Sequence, residues 1–431
     1  MIAKCLRVNE AGHLEISGCD TVKLAEQYGT PLYVMSEDLI RENCRRYVTS
    51  FEKNYSGKGK PIYASKAFSC KEIYRIVRNE GMDVEVVSGG ELYTALQAGV
   101  PASHIHFQGN NKSLGELTFA IENGVGDIVV DNLSELHKVE KIAGEHNVVV
   151  EVSLRIKPGI DAHTHEFIRT GQIDSKFGLD LESGEAMEAL RQAKEMSHLV
   201  VKGLHCHIGS QILEKTPFVH AAEVMLHFFD QVRKELGIVF TFLNLGGGFG
   251  IHYTEQDHAV PYEEYMEAVS AAVHKTCEEL QMDLPYIYIE PGRSVVGEAG
   301  ITLYTVGTIK EIPGIRNYVA IDGGMFDNPR YALYHSDYTC LLANRAGESA
   351  DYVATIAGKC CESGDLIQEH TAIQHPQEGD ILAVLSTGAY NYSMASNYNR
   401  NLKPACIMVS QGTSRIVIKG ETYEDLVRND I

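Results

Sequence analysis

Lys66 directly follows a short β-type run, Pro61-Ile-Tyr-Ala-Ser, and is flanked by the small residues Ala64, Ser65 and Ala67. An amine at a strand end is either solvated or turned into a cavity, where desolvation lowers its pKa and frees it to form a Schiff base with an aldehyde. Gly246-Gly-Gly-Phe-Gly250 closes another apolar run. It is either a tight turn or a cradle whose N–H groups, with the dipole of a following helix, receive a phosphate. Glu290-Pro-Gly-Arg293 ends a third run. Glu290 there either caps a strand or faces the nitrogen of a bound ring, keeping it protonated as an electron sink. Cys361, in the polar stretch Cys361-Glu-Ser-Gly-Asp365, is a core thiol or an exposed acid able to protonate a carbanion. Arg330 and Tyr334, four apart in Asn328-Pro-Arg-Tyr-Ala-Leu-Tyr334, either clamp a carboxylate or decorate a surface turn.

These residues need a scaffold, and the chain between them has a repeating texture. Short β-rich runs at 61–66, 83–88, 104–109, 127–131, 149–155, 200–207, 240–245 and 285–290 each end in Gly, Ser, Asn or a charged residue. Between them, segments such as Lys71-Glu-Ile-Tyr-Arg-Ile-Val-Arg78 and Gly90-Glu-Leu-Tyr-Thr-Ala-Leu-Gln97 carry apolar residues at helical spacing. Strands alternating with helices predict a parallel sheet covered on both faces. Eight units over residues 37–290 match a (β/α)8 barrel. An open doubly wound sheet is the alternative, but no G-x-G-x-x-G follows the first strand. In a barrel the active site lies at the C-terminal strand ends, which here read Lys66, Ser88, Asn110, Asp131, Arg155, His207, Gly246 to Gly248 and Glu290 to Arg293. After Glu290 the texture changes to strands with little helix, at 301–307, 317–322, 351–356, 380–385, 405–409 and 414–419. The expectation is an α/β barrel plus an all-β domain formed by residues 1–36 and 291–431.

The 431-residue chain carries a formal net charge of −20. That surface repels nucleic-acid backbones and anionic membranes, so neither is an expected partner. No apolar run approaches the roughly 20 residues of a membrane span. The N-terminus lacks the apolar stretch of a signal peptide, and the ten cysteines include no C-x-x-C pair. A cytoplasmic protein with free thiols and no metal site is expected.

The order of these motifs is more specific than any one of them. Tyr63-Ala-Ser-Lys-Ala67, His205-Cys-His-Ile-Gly-Ser-Gln211, Gly246-Gly-Gly-Phe-Gly250, Glu290-Pro-Gly-Arg293, Cys361-Glu-Ser-Gly-Asp365 and Gly388-Ala-Tyr390 resemble the fold-type III decarboxylases that use pyridoxal 5'-phosphate (PLP). Within them the resemblance is to the diaminopimelate decarboxylase family, on Asp161-Ala-His-Thr-His-Glu-Phe-Ile-Arg-Thr-Gly171, Asp174-Ser-Lys-Phe-Gly178 and the run from Tyr390 to Asn399. It extends from about residue 25 to residue 410. It implies an alanine-racemase-like barrel with a C-terminal β-rich domain and the following roles. Lys66 forms the Schiff base and His207 stacks on the cofactor ring. Ser210 and Gly246, Gly247 and Gly248 hold the phosphate, with help near Gly292 and Arg293. Glu290 pairs with the ring nitrogen, Cys361 protonates the carbanion, and Tyr390 contacts cofactor and substrate. Cys361 and Glu362 reach a neighbouring subunit's active site, which implies a homodimer with shared sites.

The implied reaction converts meso-2,6-diaminopimelate to L-lysine and carbon dioxide, the last step of lysine biosynthesis. This substrate has a second amino-acid head; Arg293, Arg330 and Tyr334 suit its carboxylate and Glu362 its ammonium. A substrate without that carboxylate would leave a buried arginine unpaired, at a cost. The alternatives are a decarboxylase of ornithine, lysine or arginine, or a non-catalytic PLP-binding relative. One departure stands out: the family usually places Asp before Val-Val-Ser-Gly-Gly, where this chain has Glu85. The extra methylene alters a cofactor-side contact or relays it through water, and the sequence assigns Glu85 no role.

Overall fold

Eight of the β-rich runs become parallel strands: β1 (Gly59–Ala64), β2 (Asp83–Val86), β3 (Ile105–Phe107), β4 (Asp127–Val130), β5 (Val150–Lys157), β6 (Leu199–His205), β7 (Phe242–Asn244) and β8 (Tyr286–Ile289). Each pairs with the next, and β8 returns to β1 through Ile287 opposite Gly59 and Ile289 opposite Pro61, closing the ring. This is the expected barrel, and closure removes the open-sheet alternative. The architecture comes from a computed structural model that describes residues 3–160 and 175–431. The stretch Asp161 to Gly171 and Asp174, singled out in the sequence, lie outside the described residues.

Amphipathic helices fill the crossovers, among them Lys71–Asn79, Gly89–Gln97, Leu114–Glu122, Leu133–Glu145, Thr216–Leu236 and Tyr262–Glu279. Their starts are written into the strand-end loops. Ser88 accepts from Glu91 N–H, Ser113 forms a capping box with Glu116, and Asn132 accepts from Glu135 N–H. Ser88, one of the strand-end candidates, is therefore employed as a helix cap. Strands also end earlier than their apolar runs. Lys66 sits in the 3-10 turn Ser65–Ala67, and His207 lies two residues past the end of β6. β7 is three residues long, paired at Phe242, Leu243 and Asn244 with β6 and β8, and Thr241 and Leu245 extend its backbone hydrogen bonds to Lys202 O and Tyr288 O.

Two compact units divide the chain. One comprises Asn43–Gly250 and Ala259–Gly292; the other comprises Met1–Glu42, Ile251–His258 and Arg293–Ile431. In the second unit the strand Leu32–Ser36 pairs antiparallel with Gly300–Ile312 and parallel with Ala405–Ser410, so the N-terminal strand is built into the C-terminal sheet. The sheet continues through Arg316–Ile321, Tyr352–Ala357 and Leu366–Ile373 on one side and Thr413–Ile418 on the other. Ile251 and Tyr253 belong to its core with Tyr304, Val319, Ile356 and Leu382, although they follow β7 in the chain.

The N-terminal end of the barrel carries a buried charge network. Asp83, at the start of β2, accepts from Arg78 (2.6 Å) and Lys60 (2.8 Å) and lies 3.8 Å from His106. His106 Nδ1 lies 3.4 Å from Asp127, which also accepts from Ser153 Oγ at 2.8 Å. Burial opposes a charge on His106, but its bonds to Asp127 and Asp83 outweigh that and raise its pKa to about 9. The charged form is thus favoured by folding: its contribution is full below the unfolded pKa near 6.5 and fades as pH climbs toward 9. Between those limits stability should fall by on the order of 1–3 kcal/mol, and His106→Gln should remove that part of the slope in urea unfolding across pH. Parallel profiles for parent and variant would sink the assignment.

Candidate active site

At the opposite end of the barrel, the strand termini surround a cavity of about 320 Å³ lined by Lys66, Glu85, Gln108, Arg155, Phe177 and His207, among others. The turn after β1 aims Lys66 at Glu85, with Nζ 3.1 Å from Oε1. Glu85 is fully buried on β2. Burial raises its pKa, Lys66 works against that, and the charge of Glu290 adds to it. Its Oε2 has no hydrogen-bond partner. Arg155, from β5, lies with its guanidinium 4.3 Å over the Phe177 ring, and burial lowers its pKa.

Glu290 stands at the end of β8 and is 3% exposed. Three donors hold it: Asn244 Nδ2 at 2.7 Å, His205 Nε2 at 3.2 Å, and Gln108 Nε2. Burial opposes its charge, but His205 and Lys66 overcome this and keep its pKa well below the ordinary carboxylate range. His205 is itself held neutral by burial, so it serves Glu290 as an N–H donor. His207 opens one side to the cavity, yet burial and then the neighbouring cations Lys66 and Arg155 push its pKa well below the usual value. Its Nδ1 accepts from Gly247 N–H at 3.1 Å, which leaves the proton on Nε2.

The glycine turn is packed too tightly for side chains. A Cβ on Gly246 would lie 2.4 Å from Cys206 O, on Gly247 2.0 Å from Glu290 O, and on Gly248 2.4 Å from Gly209 O. Gly246 and Gly248 also have φ of +68° and +113°. The turn thus lies directly against the segments carrying His207, Ser210 and Glu290. A Cβ on Gly292 would lie 2.9 Å from the Cβ of Ala64, the last residue of β1 before the turn that carries Lys66.

The β-rich unit gathers a second group. Arg330, on the short helix Arg330–Tyr334, is 5% exposed and donates to Tyr338 OH (2.9 Å) and Ser336 Oγ (3.1 Å). Its guanidinium lies 4.4 Å from the centre of the Tyr253 ring. Arg293 donates to Tyr253 OH and lies 4.7 Å over Tyr390. Arg293, Arg330 and Tyr390 are therefore brought together, around a tyrosine that the sequence reading passed over. Tyr334 shares the helix of Arg330 but is partly exposed. Cys361 and Glu362 occupy an exposed turn, where Cys361 N–H donates to Asn399 Oδ1 at 2.7 Å. The buried thiol is its neighbour Cys360.

A family profile described as pyridoxal-dependent decarboxylase, pyridoxal binding domain, matches residues 37–297. The Bacillus subtilis diaminopimelate decarboxylase is 50% identical over 99% of this chain and 97% of its own length. That of Staphylococcus aureus is 48% identical over 99% of both. A crystal structure of the M. jannaschii diaminopimelate decarboxylase in co-complex with L-lysine superposes with a TM-score of 0.91 at 36% identity, covering 99% of this chain and 98% of that one. This chain belongs to the diaminopimelate decarboxylase family.

Members of this family are PLP-dependent carboxy-lyases, and the barrel mouth of this one fits the cofactor in its own chemistry. It offers a primary amine at a strand end, a buried ionised carboxylate to face a ring nitrogen, and a neutral imidazole with a face to stack. The glycine turn places backbone amides where no Cβ intrudes, and the N–H groups of Gly248 and Phe249 have no acceptor among the described residues. Gln108, His205 and Asn244 were not anticipated. The signal that finds them is positional: each is an inward-facing polar residue at or just after a strand end. Glu85 Oε1 lies 3.1 Å from Lys66 Nζ, close enough for a charge there to act on the amine. Glu85→Gln should move the pH midpoint for cofactor uptake by the apoenzyme, followed by absorbance, downward. An unmoved midpoint would show that this carboxylate does not govern the amine.

Proposed function

We propose that the protein decarboxylates meso-2,6-diaminopimelate to L-lysine and carbon dioxide, the closing step of lysine biosynthesis. One observation carries the choice of substrate. Arg330 is buried, yet its partners are hydroxyl groups and tyrosine faces, and no carboxylate of the described residues pairs with it. A buried guanidinium without a counter-ion is costly, and a substrate with a second carboxylate supplies one. Ornithine and arginine have no such group to offer at their far end.

The PLP ring, when bound, draws off the electron pair left by the departing carboxylate. In this reading Lys66 holds the cofactor covalently, and Ser210 with Gly246, Gly247, Gly248 and Gly292 receives its phosphate. Glu290, kept ionised by three donors, holds a proton on the ring nitrogen. His207 is neutral and presents a ring face for stacking without adding charge. Arg293, Arg330 and Tyr334 bind the far carboxylate, Glu362 its ammonium, and Tyr390 contacts cofactor and substrate. Cys361 delivers the proton that replaces carbon dioxide. Its exposed turn suits a role in a neighbouring subunit's site, so we also propose a homodimer with shared sites. No helix among the described residues is long and apolar enough to cross a membrane, and all ten cysteines are unpaired, which supports a cytoplasmic location.

The deciding experiment measures carbon dioxide release from meso-diaminopimelate, ornithine, arginine and lysine. Release should be confined to the first, and comparable rates from ornithine would overturn the substrate assignment. Lys66→Ala should lose the bound-cofactor absorbance and all turnover. Cys361→Ala should lower turnover by roughly 10²–10⁴; a rate within twofold of the parent would remove the thiol from the mechanism.

A further inference from the structure

We infer that Tyr253 is a positioning residue that holds Arg293 and Arg330 side by side as one two-cation cradle for a carboxylate. The inference rests on the proposal that these arginines bind the far end of the substrate. Both guanidinium groups lie against the same tyrosine, and the hydroxyl partners of Arg330, Tyr338 and Ser336, are neutral groups. Tyr253 addresses both cations at once. Its ring centre is 4.4 Å from the Arg330 guanidinium carbon and 5.7 Å from that of Arg293, and its hydroxyl accepts a hydrogen bond from Arg293 Nη1. The negative face of the ring attracts both cations, and the hydroxyl fixes the direction of one guanidinium.

A positioning role requires that Tyr253 itself be immobile, and its loop is tied from several sides. Asp257 Oδ2 accepts from the backbone N–H groups of Tyr253 and Thr254, both at 2.9 Å. Thr339 Oγ1 donates to Tyr253 O at 3.0 Å, and Ser386 Oγ donates to His252 O at 2.9 Å. Glu298 Oε1 accepts from His252 N–H at 2.8 Å. The ring is 5% exposed and meets Tyr338 edge-on, with 5.5 Å between centres at 87°. Tyr338 in turn accepts from Arg330 at 2.9 Å and from Asn391 Nδ2 at 3.2 Å. The two arginines are therefore set by a tyrosine frame that has little freedom to follow them. A cradle fixed in this way selects a ligand that presents a carboxylate, and contributes nothing to a ligand that lacks one.

The test compares Tyr253→Leu, Tyr253→Phe and Arg330→Ala holoenzymes with the parent, using meso-diaminopimelate as substrate. L-lysine, which retains the far carboxylate, and 1,5-diaminopentane, which lacks it, serve as inhibitors. Tyr253→Leu should raise KM and the L-lysine inhibition constant by about tenfold or more, with kcat within about threefold and 1,5-diaminopentane inhibition within about twofold. Tyr253→Phe keeps the ring and loses the hydroxyl, so about threefold is expected in the same two constants. If Tyr253→Leu leaves both constants within about twofold while Arg330→Ala raises them, the positioning role is wrong and the substrate reading stands. If Arg330→Ala also leaves them unchanged, the far-carboxylate reading fails and this inference with it. Equal weakening of L-lysine and 1,5-diaminopentane by Tyr253→Leu would show a general disturbance and overturn the role. Should Tyr253→Leu not fold, the Tyr253→Phe constants decide, and unchanged values refute the inference.

Discussion

A carboxylate taken out of water must be compensated locally or it takes up a proton, and Glu290 is compensated by the ring of strands itself. Its three donors come from three different places: Gln108 just past β3, His205 at the end of β6 and Asn244 at the end of β7. None is near another in sequence, and only a closed barrel converges them on one side chain. The same convergence fixes the glycine turn, because Gly247 packs against the carbonyl of Glu290 and Gly246 against the carbonyl of Cys206. Ring closure therefore sets the protonation state of Glu290 and the packing of the turn beside it in a single act. These polar atoms are costly to bury singly, and Gln108 Nε2, Asn244 Nδ2 and His205 Nε2 are met on Glu290, while His205 Nδ1 has no partner among the described residues.

The two charge clusters solve opposite problems by different means. In the barrel mouth, anionic Glu290 and the elevated Glu85 face the amine of Lys66, and the histidines are kept neutral so that they add shape and hydrogen bonds without adding cations. In the β-rich unit, Arg293 and Arg330 are set among tyrosines, whose faces and hydroxyls accept from cations without neutralising them. An aspartate or glutamate in place of Tyr253 would pair with the arginines permanently and close the cradle to any ligand. A neutral aromatic residue preserves their appetite for an anion.

The sequence made the barrel legible because parallel strands buried on both faces leave short, nearly unbroken apolar runs, and eight of them in register with helical segments admit few other folds. The residues that follow the runs were also legible, since a lysine, a triple glycine and an acid are conspicuous there. What escaped was anything defined by a partner distant in the chain. Gln108 and Asn244 look like ordinary polar residues until Glu290 arrives between them. Glu85 was noticed as an unusual residue, but its distance from Lys66 depends on the pairing of β1 with β2. Tyr253 was hidden for a topological reason: it follows a barrel strand, yet packs in the core of the other unit with residues from 304 to 384. The strands Cys340–Leu342 and Leu366–Ile373 were missed because the first is three residues long and the second interleaves Gln, Glu, His and Thr.

The placement of the strand Leu32–Ser36 bears on how the chain is made. It leaves the ribosome early, but its antiparallel neighbour Gly300–Ile312 and its parallel neighbour Ala405–Ser410 are synthesised only after the whole barrel. At a synthesis rate of roughly 5–20 residues per second, an apolar ribbon with both edges bare waits for tens of seconds. Bare strand edges invite pairing with other chains. The sheet around this strand can therefore close only after most of the chain has been made, and a slow-translating stretch between residues 36 and 300 would lengthen the interval in which its edges are bare.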